Sequence, residues 1–233
     1  MTLKGKVLRS VTVLGALLLV VSACSRDTGG DTSAEEKSVK VGVVAPLTGP
    51  LSELGLGIKN SVDLAVRQAN EKKTVPGYTL VLAAEDDTGD PATGANAANK
   101  LASDPEVAGV VGALNSSVSQ SVAPVLQRAN IVEISPANTG NPLTRGEDWK
   151  DNPKRVWPNY FRTAVRDEFQ AAFAADYASK QAGLKSAVVI HDKKTYGQGL
   201  ATSFSERFKQ NGGQVLSTQT VNETDRDSGA VVT

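Results

Sequence analysis

The sequence predicts an α/β fold built from parallel strands, and three features of the chain point to it. Short apolar runs alternate with longer segments in which apolar side chains recur every three or four positions. Residues that favour turns, chiefly Pro, Gly and Asp, separate the two kinds of segment. The alternation restarts after a long irregular stretch, so we expect two α/β lobes, each with a mostly parallel sheet.

The chain is predicted to begin with a lipoprotein signal peptide, residues 1–23, which is removed from the mature protein. Basic residues near the start precede an apolar stretch at residues 11–21 that is too short to cross a bilayer comfortably. Residues 24–38 are rich in Gly, Asp, Thr, Ser, Glu and Lys. Because such a segment cannot bury enough apolar surface to fold, it is predicted to be a flexible tether.

Small residues lead up to Cys24, which is the only cysteine in the chain. The run Val21-Ser-Ala-Cys24 resembles the bacterial lipobox, in which the cysteine is acylated and becomes the new N-terminus. The alternative is an incidental or buried thiol. Since two or more acyl chains hold a protein stably at a membrane, the resemblance implies a lipid-anchored protein on the extracytoplasmic face of a bacterial cell membrane.

The first lobe is predicted over residues 39–162, as strands followed in turn by helices. Valine-rich runs predict the strands, and segments with one apolar face predict the helices. The strands are expected at residues 39–45, 78–84, 107–111 and 131–134, with a further short strand within 156–162. The helices are expected near residues 54–71, 91–101 and 117–129. The second helix has a clear start, since Asp90 can cap it and Pro91 suits its first position.

The second lobe is predicted over residues 163–233. Its helices are expected at residues 168–181 and 197–210 and its strands at residues 186–190 and 214–221. Phe169, Phe173 and Tyr177 recur every four residues and predict the apolar face of the first of these helices. The final residues resemble the first turns of a helix with no closing strand, so we expect an incomplete second lobe.

Composition disfavours several classes of function. Lys plus Arg and Asp plus Glu both number 25, so the net charge is zero, and without a basic stripe we expect no nucleic-acid interface. His191 is the only histidine, and no Gly-x-Ser-x-Gly sequence occurs, which argues against a metal cluster and a serine hydrolase. Asp86, Asp87 and Asp90 lack the spacing of an EF-hand loop. We therefore expect no metal, no cofactor and no enzymatic activity.

The stretch at residues 112–121 is the strongest candidate for a ligand site, because it lies where a predicted strand ends and a helix begins. Ligands bind at this edge of an open α/β sheet. Backbone N–H groups at a helix start, together with the hydroxyls of Ser116 and Ser117, could cradle a carboxylate. The alternative is an ordinary helix cap, for which Ser and Asn are the usual residues.

Six short stretches carry a family resemblance, and they are residues 41–50, 85–91, 112–117, 134–139, 160–163 and 191–199. In this order they resemble the periplasmic-binding-protein-like receptors for branched-chain amino acids, which are the substrate-binding subunits of ABC importers. The resemblance implies two α/β lobes that close on a small ligand about a hinge. Similar receptors take amides, urea and aromatic acids, so the ligand within this family stays open.

The resemblance also implies roles for single residues. Ser116 matches a serine that binds the ligand carboxylate, and Ala137 matches a position whose backbone contacts the ligand amine. Thr139 matches a threonine that reaches both groups, and Tyr196 matches a second-lobe tyrosine that covers the ligand. The carboxylate with which the family binds the ligand ammonium would lie beyond Thr233.

The implied function is delivery of a branched-chain or related small amino acid to ABC permease subunits. The alternative is an amino-acid or amide sensor of the same fold that signals to a partner protein. A permease gene beside this one would favour transport, and a kinase or regulator gene would favour sensing.

Overall fold

A computed structural model describes residues 37–227 and residue 229, and the structural statements below concern these residues. They contain a parallel five-stranded sheet with the strand order β2-β1-β3-β4-β5. Its strands are β1 (Lys37–Ala45), β2 (Tyr78–Asp86), β3 (Val107–Gly112), β4 (Val132–Ser135) and β5 (Tyr160–Arg162). The signal peptide and Cys24 lie outside the described residues.

Four helices connect or follow these strands, and a second parallel sheet comes later in the chain. The helices are α1 (Ser52–Glu71), α2 (Pro91–Ala102), α3 (Ser116–Arg128) and α4 (Pro142–Arg145). After β5 come α5 (Asp167–Asp176), a π-helical segment (Tyr177–Gln181), β6 (Ser186–His191), α6 (Thr195–Gln210) and β7 (Gln214–Thr220). Strands β6 and β7 pair in parallel. The predicted α/β fold with parallel sheets is confirmed.

The main core lies between the first sheet and helices α2 and α3. Its members include Leu101 of α2, Val118, Val122 and Leu126 of α3, and Val110 of β3. All of them are almost completely buried, as the apolar spacing of the two helices predicts.

The predicted start of α2 is confirmed. The Asp90 carboxylate accepts hydrogen bonds from the backbone N–H groups of Ala92 and Thr93, both at 2.9 Å, and Pro91 is the first helical residue. The cap therefore fixes where the chain turns from the end of β2 into the helix.

The tether predicted at residues 24–38 overlaps the folded part of the chain by two residues. Lys37 and Ser38 already belong to β1 and pair with Tyr78 and Thr79 of β2. Backbone hydrogen bonds extend β1 toward the N-terminus, past its apolar residues. The polar composition of residues 37–38 therefore did not show that the strand begins there.

The apolar face predicted for α5 is not the buried face. Phe169, Phe173 and Tyr177 are exposed, and Phe173 keeps 75% of its surface accessible. The buried positions are Asp167, Ala171 and Ala175, on a helix that packs against α6. Small alanine side chains allow two helices to approach closely, and the aromatic side chains are left on the other side.

The ends of β1 and β3 approach each other closely at Gly112. This residue has φ of +149°, and a Cβ atom there would lie 2.1 Å from the Val44 carbonyl oxygen. Only glycine fits this position without moving the backbone of β1. No helix in the described part of the chain is long and apolar enough to span a membrane.

Replacing Gly112 with alanine is expected to reduce the free energy of unfolding by about 1–3 kcal/mol or more, because the new methyl group overlaps the Val44 carbonyl. Urea unfolding followed by circular dichroism measures the change. Gly57→Ala is the matched control, since a Cβ there meets open space on α1. That control should stabilise the protein by about 0.5–1 kcal/mol. Equal stability of Gly112→Ala and the wild type would contradict the close approach.

Candidate functional site

The Ser135 hydroxyl joins the two loops that follow β3 and β4. It donates a hydrogen bond to the Ala113 carbonyl oxygen at 2.8 Å. It also accepts hydrogen bonds from the N–H groups of Ala137 at 3.2 Å and Asn138 at 2.9 Å. One buried hydroxyl thus uses its donor and both acceptor positions and holds the loops against each other.

A second buried hydroxyl, that of Ser119, connects the same region to β4. It accepts a hydrogen bond from the Ala113 N–H at 3.1 Å and donates one to Glu133 Oε1 at 2.8 Å. Glu133 is completely buried, and its Oε2 has no hydrogen-bond partner in the protein. Burial raises the pKa of Glu133 to about 8, although the hydrogen bond from Ser119 partly offsets the rise. This side chain therefore holds a proton at neutral pH.

Asn138 extends the network to β5. Its side-chain amide donates to the Leu114 carbonyl at 2.8 Å, and its Oδ1 accepts a hydrogen bond of 2.8 Å from the Tyr160 hydroxyl. Arg162 donates to the Asn138 carbonyl at 3.3 Å. The loop at residues 135–140 is thus fixed by β3, β4 and β5 together.

The structure brings Ser116 close to the loop that contains Ala137 and Thr139. Ser116 is the first residue of α3, and its buried hydroxyl accepts a hydrogen bond from the Gly140 N–H at 3.3 Å. Thr139 is also buried, and its Oγ1 has no hydrogen-bond partner. A hydroxyl and a helix start therefore lie beside a second, unsatisfied hydroxyl at the carboxyl edge of the first sheet.

The other two predicted site residues have different surroundings. Ser117 is half-buried and lines a cavity of about 420 Å³ together with Asp90, Lys193 and Lys194. Tyr196 is exposed, and its hydroxyl accepts a hydrogen bond from Gln170 of α5 at 3.2 Å. One loop region therefore contains Ala137 and Thr139 and contacts Ser116. Ser117 lines a separate cavity. The Tyr196 hydroxyl is bound to α5.

A cavity of about 440 Å³ lies between α3, the irregular stretch after α4, and helices α5 and α6. The residues that line it are Gln120, Asn141, Pro142, Glu147, Asp148, Trp149, Lys150, Asp151, Asp167, Thr195, Gln198, Gly199, Thr202 and Ser203. Thr195 donates a hydrogen bond to Gln120 Oε1 at 2.8 Å, so α6 and α3 meet at one side of it.

Asp167 is the residue of this cavity that sequence reasoning missed. Its N–H donates to the Thr139 carbonyl at 2.9 Å, and neither of its carboxylate oxygens has a hydrogen-bond partner in the protein. Burial raises its pKa, and the nearby Thr139 hydroxyl and the Arg162 charge partly offset the rise. In the sequence, Asp167 could have been noticed because it lies just after residues 160–163, one of the six stretches that carry the family resemblance.

The acidic residues at the end of β2 hold nearby loops, since Asp86 binds the loop after β1 and Asp87 binds its own loop. Asp86 accepts hydrogen bonds from the N–H of Leu47 at 2.8 Å and from the Thr48 hydroxyl at 2.5 Å. Asp87 is buried and accepts one from the Gly89 N–H. His191 ends β6 and accepts the Lys193 N–H at its Nδ1. Among residues 37–227 and 229, no three His, Cys, Asp or Glu side chains are grouped as metal ligands.

The profile of a family described as periplasmic binding protein matches residues 38–233. The Leu/Ile/Val-binding protein homolog 3 of Brucella melitensis is 35% identical over 217 residues, which are 93% of this chain and 56% of that relative. The BraC3 Leu/Ile/Val-binding protein of Rhizobium johnstonii is 34% identical over 84% of this chain and 50% of its own length. The chain thus spans about half the length of these curated relatives.

Solved structures of two binding proteins are also similar to this chain. A leucine-binding protein, LivK, of Thermotoga maritima aligns with a TM-score of 0.70 at 30% identity, over 83% of this chain and 51% of that one. LivJ of Streptococcus pneumoniae, a branched-chain amino acid transporter substrate-binding protein solved with isoleucine, aligns with a TM-score of 0.72 at 26% identity. That alignment covers 84% of this chain and 53% of LivJ.

Glu133 should make stability depend on pH. Its pKa rises from 4.5 to about 8 on folding, so the folded protein binds this proton more tightly than the unfolded chain. The resulting contribution to the free energy of unfolding is complete below pH 4.5 and is lost as the pH rises through about 8. The slope is at most about 1.4 kcal/mol per pH unit.

Glu133→Gln keeps the shape of the side chain without its charge. The variant is expected to unfold at nearly the wild-type urea concentration near pH 4 and at a higher one near pH 9, since it lacks the buried carboxylate. Urea titrations across this range measure the difference. Parallel pH profiles for the two proteins would show that Glu133 does not titrate as a buried acid.

Proposed function

The chain belongs to the periplasmic binding protein family, and from that premise we propose that it is an extracytoplasmic substrate-binding protein of an ABC importer. We propose a branched-chain or closely related small amino acid as its ligand. The proposal is supported by relatives whose names record Leu, Ile and Val binding. Its function is to bind and hand over the ligand, with no bond made or broken.

The observation that carries the proposal is the pairing of Ser116 with the loop at residues 137–140. The N-terminus of α3 carries a partial positive charge and donates N–H groups, which suits a ligand carboxylate. The Ser116 hydroxyl adds a donor at the same place, and the Gly140 N–H lies 3.3 Å from it. The Ala137 backbone and the Thr139 hydroxyl then offer partners for a ligand amine.

Closure of the α5–α6 side of the molecule over this edge is the proposed means of retaining the ligand. The contact between Thr195 and Gln120 is a hydrogen bond that such a closure would use. Tyr196 follows Thr195 at the start of α6, and we propose that its ring covers the ligand in the closed state. We place the boundary between the two lobes near residues 162–163.

We further propose that Cys24 carries the membrane anchor. The basic start, the short apolar stretch and the small residues before Cys24 support acylation and cleavage at this position. The permease would then receive the ligand from a protein held at the same membrane surface.

Alanine at both Ser116 and Thr139 is expected to weaken leucine binding by about 10- to 100-fold or more, because the ligand's charged groups lose two hydrogen-bond partners. Isothermal titration with leucine, isoleucine and valine measures the loss. Ser121→Ala, on the same helix, is the control and should bind normally. Ser117→Ala tests the neighbouring hydroxyl separately. Wild-type affinity in the double variant would refute this site.

The lipid anchor is tested by the intact mass of the protein from the membrane fraction of its native cells. Residues 1–23 should be absent, and Cys24 should carry the added mass of acyl chains. Cys24→Ala should release the protein from that fraction, because no acyl group can be attached. A membrane-free protein that retains residues 1–23 would contradict the proposal.

A further inference from the structure

We propose that a cavity beside β5 binds a small oxyanion that carries two or more negative charges, as carboxylate or phosphate groups. Strand β5 lies at the edge of the first sheet, and the cavity has a volume of about 460 Å³. Sites for small molecules usually measure about 300–1,000 Å³. Four of the ten residues that line the cavity are arginines, and none is an aspartate or a glutamate. These arginines are Arg145, Arg155, Arg162 and Arg166.

The four arginines outnumber the carboxylates that pair with them. Arg145 donates to the two carboxylate oxygens of Glu168 at 3.0 and 3.1 Å, and Arg166 donates to Glu168 Oε1 at 2.6 Å. Among residues 37–227 and 229, Glu168 is the only carboxylate that forms an ion pair with any of the four. One negative charge is thus shared by two guanidinium groups. The cavity is strongly cationic in a protein whose net charge is zero.

Arg162 is the arginine that would gain most from a bound anion. Its N–H groups donate to a backbone carbonyl at 3.3 Å and to the Thr144 hydroxyl, which are both uncharged. Burial lowers its pKa, and the charge of Arg166 adds to the effect, while the charges of Asp167 and Glu168 oppose it. Because burial and a like charge both disfavour a cation, an anion in the cavity would stabilise this side chain.

Phenylalanine rings support two of the guanidinium groups. The guanidinium carbon of Arg155 lies 4.6 Å from the centre of the Phe161 ring, and that of Arg166 lies 4.9 Å from the centre of the Phe169 ring. A ring beside its face orients a guanidinium and leaves its N–H edge free to bind carboxylate or phosphate. Within the described part of the chain, Nη1 of Arg155 and both terminal nitrogens of Arg166 have no hydrogen-bond partner. These donors are available to a ligand.

A structural explanation accounts for only part of this arrangement. Arg155 donates to three backbone carbonyls between residues 157 and 160, at 3.3, 3.0 and 2.6 Å, and so holds the turn that leads into β5. These carbonyls carry no net charge, so they leave the charge of Arg155 without a counterion. Support of the turn therefore explains where Arg155 lies, but it does not explain why four arginines surround one cavity.

The number of positive charges indicates the charge of the ligand. Glu168 offsets one of the four, and Asp167 near Arg162 offsets at most one more, so at least two remain. A small anion is favoured over a polyanion such as a nucleic acid, because the charge is confined to one concave site that also includes the apolar Ala164 and Val165. A polyanion needs a basic stripe, which the sequence lacks.

The test is isothermal titration with citrate and with inorganic phosphate, each compared with acetate at the same ionic strength. It uses the protein expressed from its natural gene, in a buffer free of other multivalent anions. Acetate should bind at least about tenfold more weakly, because it carries a single charge. Binding of citrate alone would identify a carboxylate ligand, and binding of phosphate alone would identify a phosphate ligand. A wild-type protein that binds neither at millimolar concentration would overturn the proposal.

Two arginine variants test the cavity itself. Arg155→Gln and Arg166→Gln should each weaken binding of the anion by about tenfold or more, because each removes a charged hydrogen-bond donor. Arg128→Gln removes a positive charge from an exposed position at the end of α3 and should bind within about twofold of the wild type. Ser116→Ala should also bind the anion normally, which separates this cavity from the proposed amino-acid site.

Circular dichroism and leucine titration of Arg155→Gln guard against a folding defect. Arg162 is left unchanged, since it also holds the Asn138 carbonyl beside the proposed amino-acid site. Weaker anion binding with an unchanged spectrum and unchanged leucine affinity would support the proposal. Wild-type anion affinity in both arginine variants would overturn it and leave the proposed function standing. Loss of anion binding in Ser116→Ala would also overturn it, because the anion would then occupy the amino-acid site.

Discussion

The buried hydrogen bonds between the loops after β3 and β4 are the constraint on which the candidate site depends. Ser135 and Ser119 each use a hydroxyl to connect Ala113 with the neighbouring strand or loop. Removing either hydroxyl would leave buried backbone groups unpaired, at a cost of about 1–3 kcal/mol each. Because Ser116, Ala137 and Thr139 lie on the segments these bonds fix, the same interactions that stabilise the sheet edge also position the proposed ligand contacts.

The regular elements could largely be predicted because their sequences carry strong local patterns. Val118, Val122 and Leu126 recur at helical spacing and are buried as expected. Asp90 and Pro91 mark a helix start that depends only on neighbouring residues. In α5 and the first residue of the π-helical segment, the spacing of Phe169, Phe173 and Tyr177 is equally regular, yet the opposite face of α5 packs against α6. Periodicity shows that a helix has an apolar face, but the element that packs against the helix decides which face is buried.

The candidate site was predictable only in part, for a similar reason. Ser116 and Thr139 could be proposed because each lies in a short stretch of sequence that resembles the family. Asp167 precedes a second acidic residue at a helix start, and in the sequence this pair is typical of a favourable helix charge. Its burial follows from the approach of α6 at Gly199, a contact between residues far apart in the chain. Glu133 likewise occupies a strand position whose polarity the sequence shows but whose burial it does not.

The aromatic face of α5 has a practical consequence for work with the protein. Phe169, Phe173 and Tyr177 lie one turn apart and are all exposed, with further apolar side chains exposed on β6 and β7, namely Val188, Ile190 and Leu216. Exposed apolar side chains in such numbers promote association between molecules in water. The purified chain should therefore self-associate as its concentration rises, and affinities are best measured in dilute solution, where the species titrated is a single chain.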